Sequence, residues 1–139
     1  MRPPNLPDLS GRTIIVVDDN DDALDMLAMF LRACGASVFE ARTAPAALAY
    51  LDTQSRIDVI VTDLSMPEMD GTELVRRLRA HRSKSNVPAI AVTGFYDYYM
   101  DTSGFTAFLR KPVDLDRLCD SIKDAITKGH PRSETKRAG

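Results

Sequence analysis

Val59-Ile60-Val61-Thr62-Asp63 constrains this chain more than any other stretch. A run of β-branched residues this short cannot make a helix, and Pro67 and Gly71 close the segment beyond it. It reads as a central parallel strand covered on both faces. The run ends in a carboxylate, which leaves Asp63 at the C-terminal end of a buried strand, the edge where open α/β sheets carry out chemistry. A second stretch has the same shape: Ile14-Ile15-Val16-Val17 runs straight into Asp18-Asp19. With the two strands parallel and adjacent, three carboxylates meet at one edge and repel one another unless positive charge sits among them. A hard divalent cation such as Mg²⁺ supplies that charge, taking oxygen from one or two carboxylates and the rest of its shell from water, carbonyl groups and phosphate. The arrangement points to phosphoryl chemistry with one aspartate as nucleophile.

Around these strands the sequence alternates β and α patterns. Residues 13–17 form the first strand. Asn20 opens a helix to Ala33 whose core stripe is Leu24, Leu27, Ala28 and Leu31. A second stripe of Met26, Met29, Phe30 and Ala33 reads as the flank of a wide core face, with an exposed apolar surface as the competing reading. Residues 37–40 make a short edge strand. Thr43 caps a second helix that has Pro45 in its first turn and Ala47, Leu48 and Leu51 inward. Gly71-Thr72 opens a third helix, with Leu74, Val75 and Leu78 inward and Arg76, Arg77 and Arg79 on a solvated face. Residues 88–93 are a fourth strand ending in Thr93, and residues 105–109 a fifth that ends at Arg110-Lys111-Pro112. Asp114 caps a last helix.

Between the last two strands, Phe95-Tyr96-Asp97-Tyr98-Tyr99-Met100-Asp101 is dense in aromatics and poor in helical periodicity, so the fourth helix is expected to be shortened or irregular. Five alternations predict an α/β fold: a doubly wound, five-stranded parallel sheet, flavodoxin-like, in strand order 2-1-3-4-5. Residues 1–11 read as an N-terminal lead-in packed loosely or not at all, 12–128 as the domain, and 129–139 as a polar, disordered tail.

Composition narrows the function. A chain of 139 residues is one domain with a full core. Its 18 Lys and Arg against 20 Asp and Glu provide no basic field for nucleic acid. No apolar run reaches membrane-spanning length and Met1-Arg2-Pro3-Pro4 lacks a signal-peptide core, so a cytoplasmic location is expected. Cys34 and Cys119 sit in apolar helical surroundings and read as buried free thiols. His81 and His130 lack partners at metal spacing and read as solvent-exposed.

Taken together, Asp18-Asp19, Asp63, Thr93 and Lys111-Pro112 at these intervals resemble the receiver domain of two-component response regulators, over residues 12–128. The most specific parts are Asp63-Leu64-Ser65-Met66-Pro67-Glu68-Met69-Asp70-Gly71 and Arg110-Lys111-Pro112. The resemblance implies that Asp63 is the phosphoacceptor, and that Asp18, Asp19, Asp63 and the Ser65 backbone carbonyl hold Mg²⁺. Thr93 and Lys111 would donate to phosphoryl oxygens. The bond before Pro112 would be cis, and Thr93 and Phe108 would form the switch. It further implies a histidine kinase or histidine phosphotransfer protein as donor and a downstream protein as target. Neither nucleic acid nor membrane is bound directly, and no catalysis is implied beyond the chain's own phosphorylation and dephosphorylation.

Met1 and the lack of a following output region favour a stand-alone regulator. Leu9-Ser10-Gly11-Arg12, however, resembles linkers before the receivers of hybrid sensor kinases, and a phosphoryl shuttle or sink is a third role. Thr93-Gly94-Phe95-Tyr96 resembles the Thr-Gly-x-Tyr core of an atypical subgroup of single-domain receivers. A Mg²⁺-dependent aspartyl phosphatase would need a second carboxylate two residues after its nucleophile, where this chain has Ser65.

Overall fold

The computed structural model describes residues 5–94 and 102–129. Strands β1 (Thr13–Val17), β2 (Ser37–Ala41), β3 (Val59–Thr62), β4 (Ala89–Thr93) and β5 (Ala107–Arg110) form one parallel sheet in the order β2-β1-β3-β4-β5. Helices α1 (Asp21–Ala33), α2 (Ala44–Thr53), α3 (Gly71–Arg79) and α4 (Leu115–Lys128) cover it. This is the doubly wound, flavodoxin-like α/β fold read from the sequence. Side chains alternate across a strand, so each apolar run feeds two cores. Val59 and Val61 join Ile14, Val16, Leu27, Leu31, Leu118 and Ile122 on the α1/α4 face. Ile60 joins Ile15, Leu51, Leu74 and Leu78 on the α2/α3 face. Among the described residues no helix is long and apolar enough to cross a membrane.

Each of the four helices among the described residues begins on a polar cap. The side chains of Asn20, Thr43, Asp70 and Asp114 accept amide protons of the following turn, each contributing about 1 kcal/mol. One of these caps, Asn20, directly follows the acidic strand end Asp18-Asp19, and another, Asp70, closes the loop after Asp63.

The structure departs from the sequence reading at several places. The described part of the lead-in, residues 5–11, is not loose: Leu9 is 2% exposed, its amide donates to the Cys34 carbonyl at 2.7 Å, and Leu6 packs on the same core. Ser10 passes so close to Gly35, at φ 101°, that a Cβ there would lie 2.7 Å from its Oγ. Two leucines three residues apart bury enough apolar surface to anchor a short arm, a signal masked by the surrounding prolines.

The second stripe of α1 splits: Phe30 is half-buried against the core while Met26 and Met29 are 49% and 70% exposed, so the wide core face stops short of them. Strand β5 starts at Ala107, and Phe105 is a buried turn residue before it. Arg79 does not join Arg76 and Arg77 in solvent but turns back onto backbone carbonyls. His81 is half-buried. Its Nε2 lies 2.9 Å from Asp52 Oδ1, and its Nδ1 accepts the amides of Ser83 and Lys84.

The shortened fourth helix over residues 95–101, His130 and the tail beyond it lie outside the described residues. Cys34 and Cys119 are buried free thiols, and burial, with the neighbouring Cys34 as the next contributor, pushes the Cys119 thiol up to about 12.

Candidate functional site

Register builds the site. Val17 pairs with Thr62, so Asp18 and Asp63 leave β1 and β3 at the same level. The Asp63 amide donates to Val17 O at 3.0 Å and the Asp18 amide to Ala41 O at 3.1 Å, which ties each backbone to the strand beside it. Asp18 is 2% and Asp63 9% exposed, whereas Asp19 faces solvent. Carboxylate oxygens of Asp18, Asp19 and Asp63 all lie within 4.8 Å of one another.

Among the described residues one cation, Lys111, enters this cluster. Lys111 Nζ lies 2.9 Å from Asp18 Oδ2 and 3.4 Å from Asp63 Oδ2. It reaches them because its amide donates to Thr93 O at 2.9 Å, carrying the β4–β5 ladder one residue beyond β5; the following bond to Pro112 is cis. Burial works to lower the lysine pKa, but the hydrogen bond and charge of Asp18, joined by Asp63, outweigh it and hold Lys111 above its ordinary value.

The remaining oxygens are held by local turns. Asp18 Oδ1 accepts the Asn20 amide at 2.9 Å, and Asp63 Oδ1 accepts the Ser65 amide at 3.3 Å, which brings the Ser65 backbone beside the cluster. Thr93, 5% exposed, ends β4 at the same edge, in register with Arg110. Phe108 is not part of the cluster. It sits in β5, 39% exposed, with its ring centroid 5.2 Å from that of Phe105.

The sequence reading took Gly71 as the close of the loop and the opening of a helix, and the structure adds a close approach. A Cβ at Gly71 would lie 2.3 Å from the Asp63 carbonyl oxygen and 3.0 Å from Leu64 Cα. The Gly71 amide donates to Leu64 O at 3.0 Å, so the start of α3 is packed directly beneath the loop that carries Asp63. A glycine eight residues after an acidic strand end was the available signal.

The donor set fits a hard divalent cation. Three carboxylates and a neighbouring backbone offer oxygen, no thiol or imidazole among the described residues belongs to the group, and one ammonium leaves the cluster net negative. Asp63 is buried, oriented by the Ser65 amide, and faces Lys111. Such an arrangement can hold a cation and present one carboxylate oxygen to an electrophile whose developing charge Lys111 would meet.

The family model of the response regulator receiver domain matches residues 14–123. An uncharacterized 14.6 kDa protein in the sodA1 3' region of Leptolyngbya boryana is 40% identical over 111 residues, 76% of this chain and 83% of that protein. The CAI-1 autoinducer sensor kinase/phosphatase CqsS of Vibrio cholerae is 32% identical over 116 residues, 80% of this chain but 17% of that protein. The crystal structure of a response regulator receiver protein from Pseudomonas putida superposes with a TM-score of 0.76 at 32% identity, covering 81% of this chain and 96% of the other. Against two transcriptional regulatory proteins and two sensor kinases, CqsS among them, the chain spans only 13% to 28% of their length.

Proposed function

We propose, from the premise that the chain belongs to the response regulator receiver domain family of two-component systems, that it takes a phosphoryl group onto Asp63 from a phosphohistidine and signals by protein contacts. The observation that carries this reading is the convergence of Asp18, Asp19 and Lys111 on the buried carboxylate of Asp63.

Asp63 Oδ2, facing Lys111, attacks phosphorus in line as the phosphorus–nitrogen bond to the donor imidazole breaks; the imidazole leaves with the electron pair and an acyl phosphate forms. Lys111 already lies 3.4 Å from this oxygen and can follow the charge onto a phosphoryl oxygen. The Thr93 hydroxyl donates to another, and Phe108 turns inward behind it, a shift between two packings. Water attack on phosphorus later releases phosphate and restores Asp63. Asp18, Asp19, Asp63 and the Ser65 carbonyl would hold Mg²⁺, which when bound supplies charge neutralisation for the phosphoryl oxygens.

The partner is a histidine kinase or histidine phosphotransfer protein, and the exposed Met26 and Met29 of α1, the helix that follows Asp18-Asp19, are the apolar surface it would cover. The module acts as a switch, catalyses only its own phosphorylation and dephosphorylation, and works in the cytoplasm on a protein target. The similarity to sensor kinases such as CqsS supports a second reading, a receiver within a hybrid kinase. Intact-mass analysis after treatment with acetyl phosphate and Mg²⁺ tests the core of the proposal. One added phosphoryl group is expected, absent in Asp63→Asn, and equal gain in that variant would sink it.

A further inference from the structure

Arg79 ends α3, and its side chain leaves solvent for three backbone carbonyls. Nε and Nη2 donate to Gly104 O at 3.0 and 2.7 Å, and Nη1 donates to Ser85 O at 3.0 Å and Val87 O at 2.5 Å. Those carbonyls belong to the segment that enters β4 and the turn that enters β5. Among the described residues no carboxylate pairs with this guanidinium, and burial pushes its pKa down to about 10. Its neighbours Arg76 and Arg77 behave differently, pairing with Glu73 at the surface. Among the described residues this half-buried cation is held by carbonyls, a costly arrangement whose return is the geometry of the chain it grips.

That geometry leads to Phe108. Gly104 is pressed onto α3 so closely that a Cβ would lie 2.6 Å from Val75 Cγ1. Phe105, next in the chain, is buried in the α2/α3 core, and its ring meets that of Phe108 at 5.2 Å and 52°. Tilted aromatic pairs of this kind are attractive beyond the area they bury. The contact exists with Phe108 partly exposed and would be lost if Phe108 turned toward Thr93.

We propose that Arg79 is a positioning residue for the resting state: by gripping Gly104 it sets Phe105 against Phe108 and so opposes the inward turn that accompanies phosphorylation. This rests on reading Asp63 as the phosphoacceptor and Phe108 as the switch. Weakening the grip moves the population toward the inward arrangement before any phosphoryl group arrives.

The test uses the full chain with ¹³C-labelled phenylalanine, the Phe108 signal assigned by Phe108→Leu, and acetyl phosphate with Mg²⁺ as donor. Arg79→Ala and Phe105→Leu are each expected to shift the Phe108 ring signal toward its position in the beryllofluoride-treated unaltered chain, and to raise the initial labelling rate about three- to tenfold. Arg79→Lys should behave like Arg79→Ala, because a single ammonium cannot span three carbonyls. Should Arg79→Ala not fold, Phe105→Leu and Arg79→Lys decide the matter. An unmoved Phe108 signal with unchanged or slower labelling in the folded variants overturns the inference and leaves Arg79 a purely structural clamp. A different failure, no labelling of the unaltered chain, removes the Asp63 reading and the inference with it.

Discussion

The two ends of the sheet are held together by opposite kinds of chemistry. At the C-terminal edge, three carboxylates crowd round one ammonium, and each group is the side chain of a residue at or just beyond a strand end. At the entrance to β4 and β5, one guanidinium grips three carbonyls, groups that nearly every residue carries alike. The first end is left with negative charge to spare and so is suited to a cation and a phosphoryl group. The second has its described donors met by carbonyls and is suited to holding its shape. The difference teaches that side-chain charge marks the end open to chemistry, while backbone carbonyls serve the end that holds its shape.

The contrast breaks most severely at Gly71, where the acidic loop itself depends on packing. Gly71→Ala drives a methyl group against the Asp63 carbonyl and Leu64, which are backbone and cannot swing aside. A loss of about 3 kcal/mol in chemical denaturation is expected, together with slower labelling of Asp63. An unchanged denaturation midpoint would mean that the loop gives way freely and is not held by α3.

A smaller effect separates charge from scaffold. Asp19 is exposed, yet a carboxylate oxygen of its side chain lies within 4.8 Å of those of Asp18 and Asp63. Asp19→Ala should weaken Mg²⁺ binding about tenfold or more while shifting stability by no more than about 0.5 kcal/mol. Titration with Mg²⁺ reads the first and thermal unfolding without Mg²⁺ reads the second. Unchanged affinity would contradict the cation site.

The least costly change concerns the surface beside the acidic edge. Met29→Glu replaces a side chain 70% exposed, so stability should move by less than about 0.5 kcal/mol. Transfer from a histidine phosphotransfer protein should slow while labelling by acetyl phosphate, which needs no docking, stays as it was. Equal loss of both would assign Met29 to the fold rather than to an interface.

Much of the acidic edge was legible because strand direction and residue type coincide there. Val59 to Thr62 is short, apolar and followed by Asp63; Ile14 to Val17 does the same for Asp18; once the sheet is parallel, these ends must meet. Lys111 was legible on the same ground. What the pattern concealed were contacts whose partners have no side-chain identity: the Cys34 carbonyl that takes the Leu9 amide, and the Gly104, Ser85 and Val87 carbonyls that draw Arg79 out of solvent. Periodicity assigned Arg79 to a polar face on helical spacing, and Met26 and Met29 to the rim of a core that ended before reaching them.

The sequence by itself determined the alternation of elements, the order of the sheet and the residue types at its reactive edge, because hydrophobic periodicity and strand-end chemistry are written residue by residue. Only the tertiary structure decided that Leu6 and Leu9 of the lead-in join the core, that Gly71 must lack a side chain beneath Asp63, and that Arg79 binds the entrances of β4 and β5. These are matters of distance between segments remote in the chain, and they involve backbone groups that look the same at every position until the fold brings a particular few together.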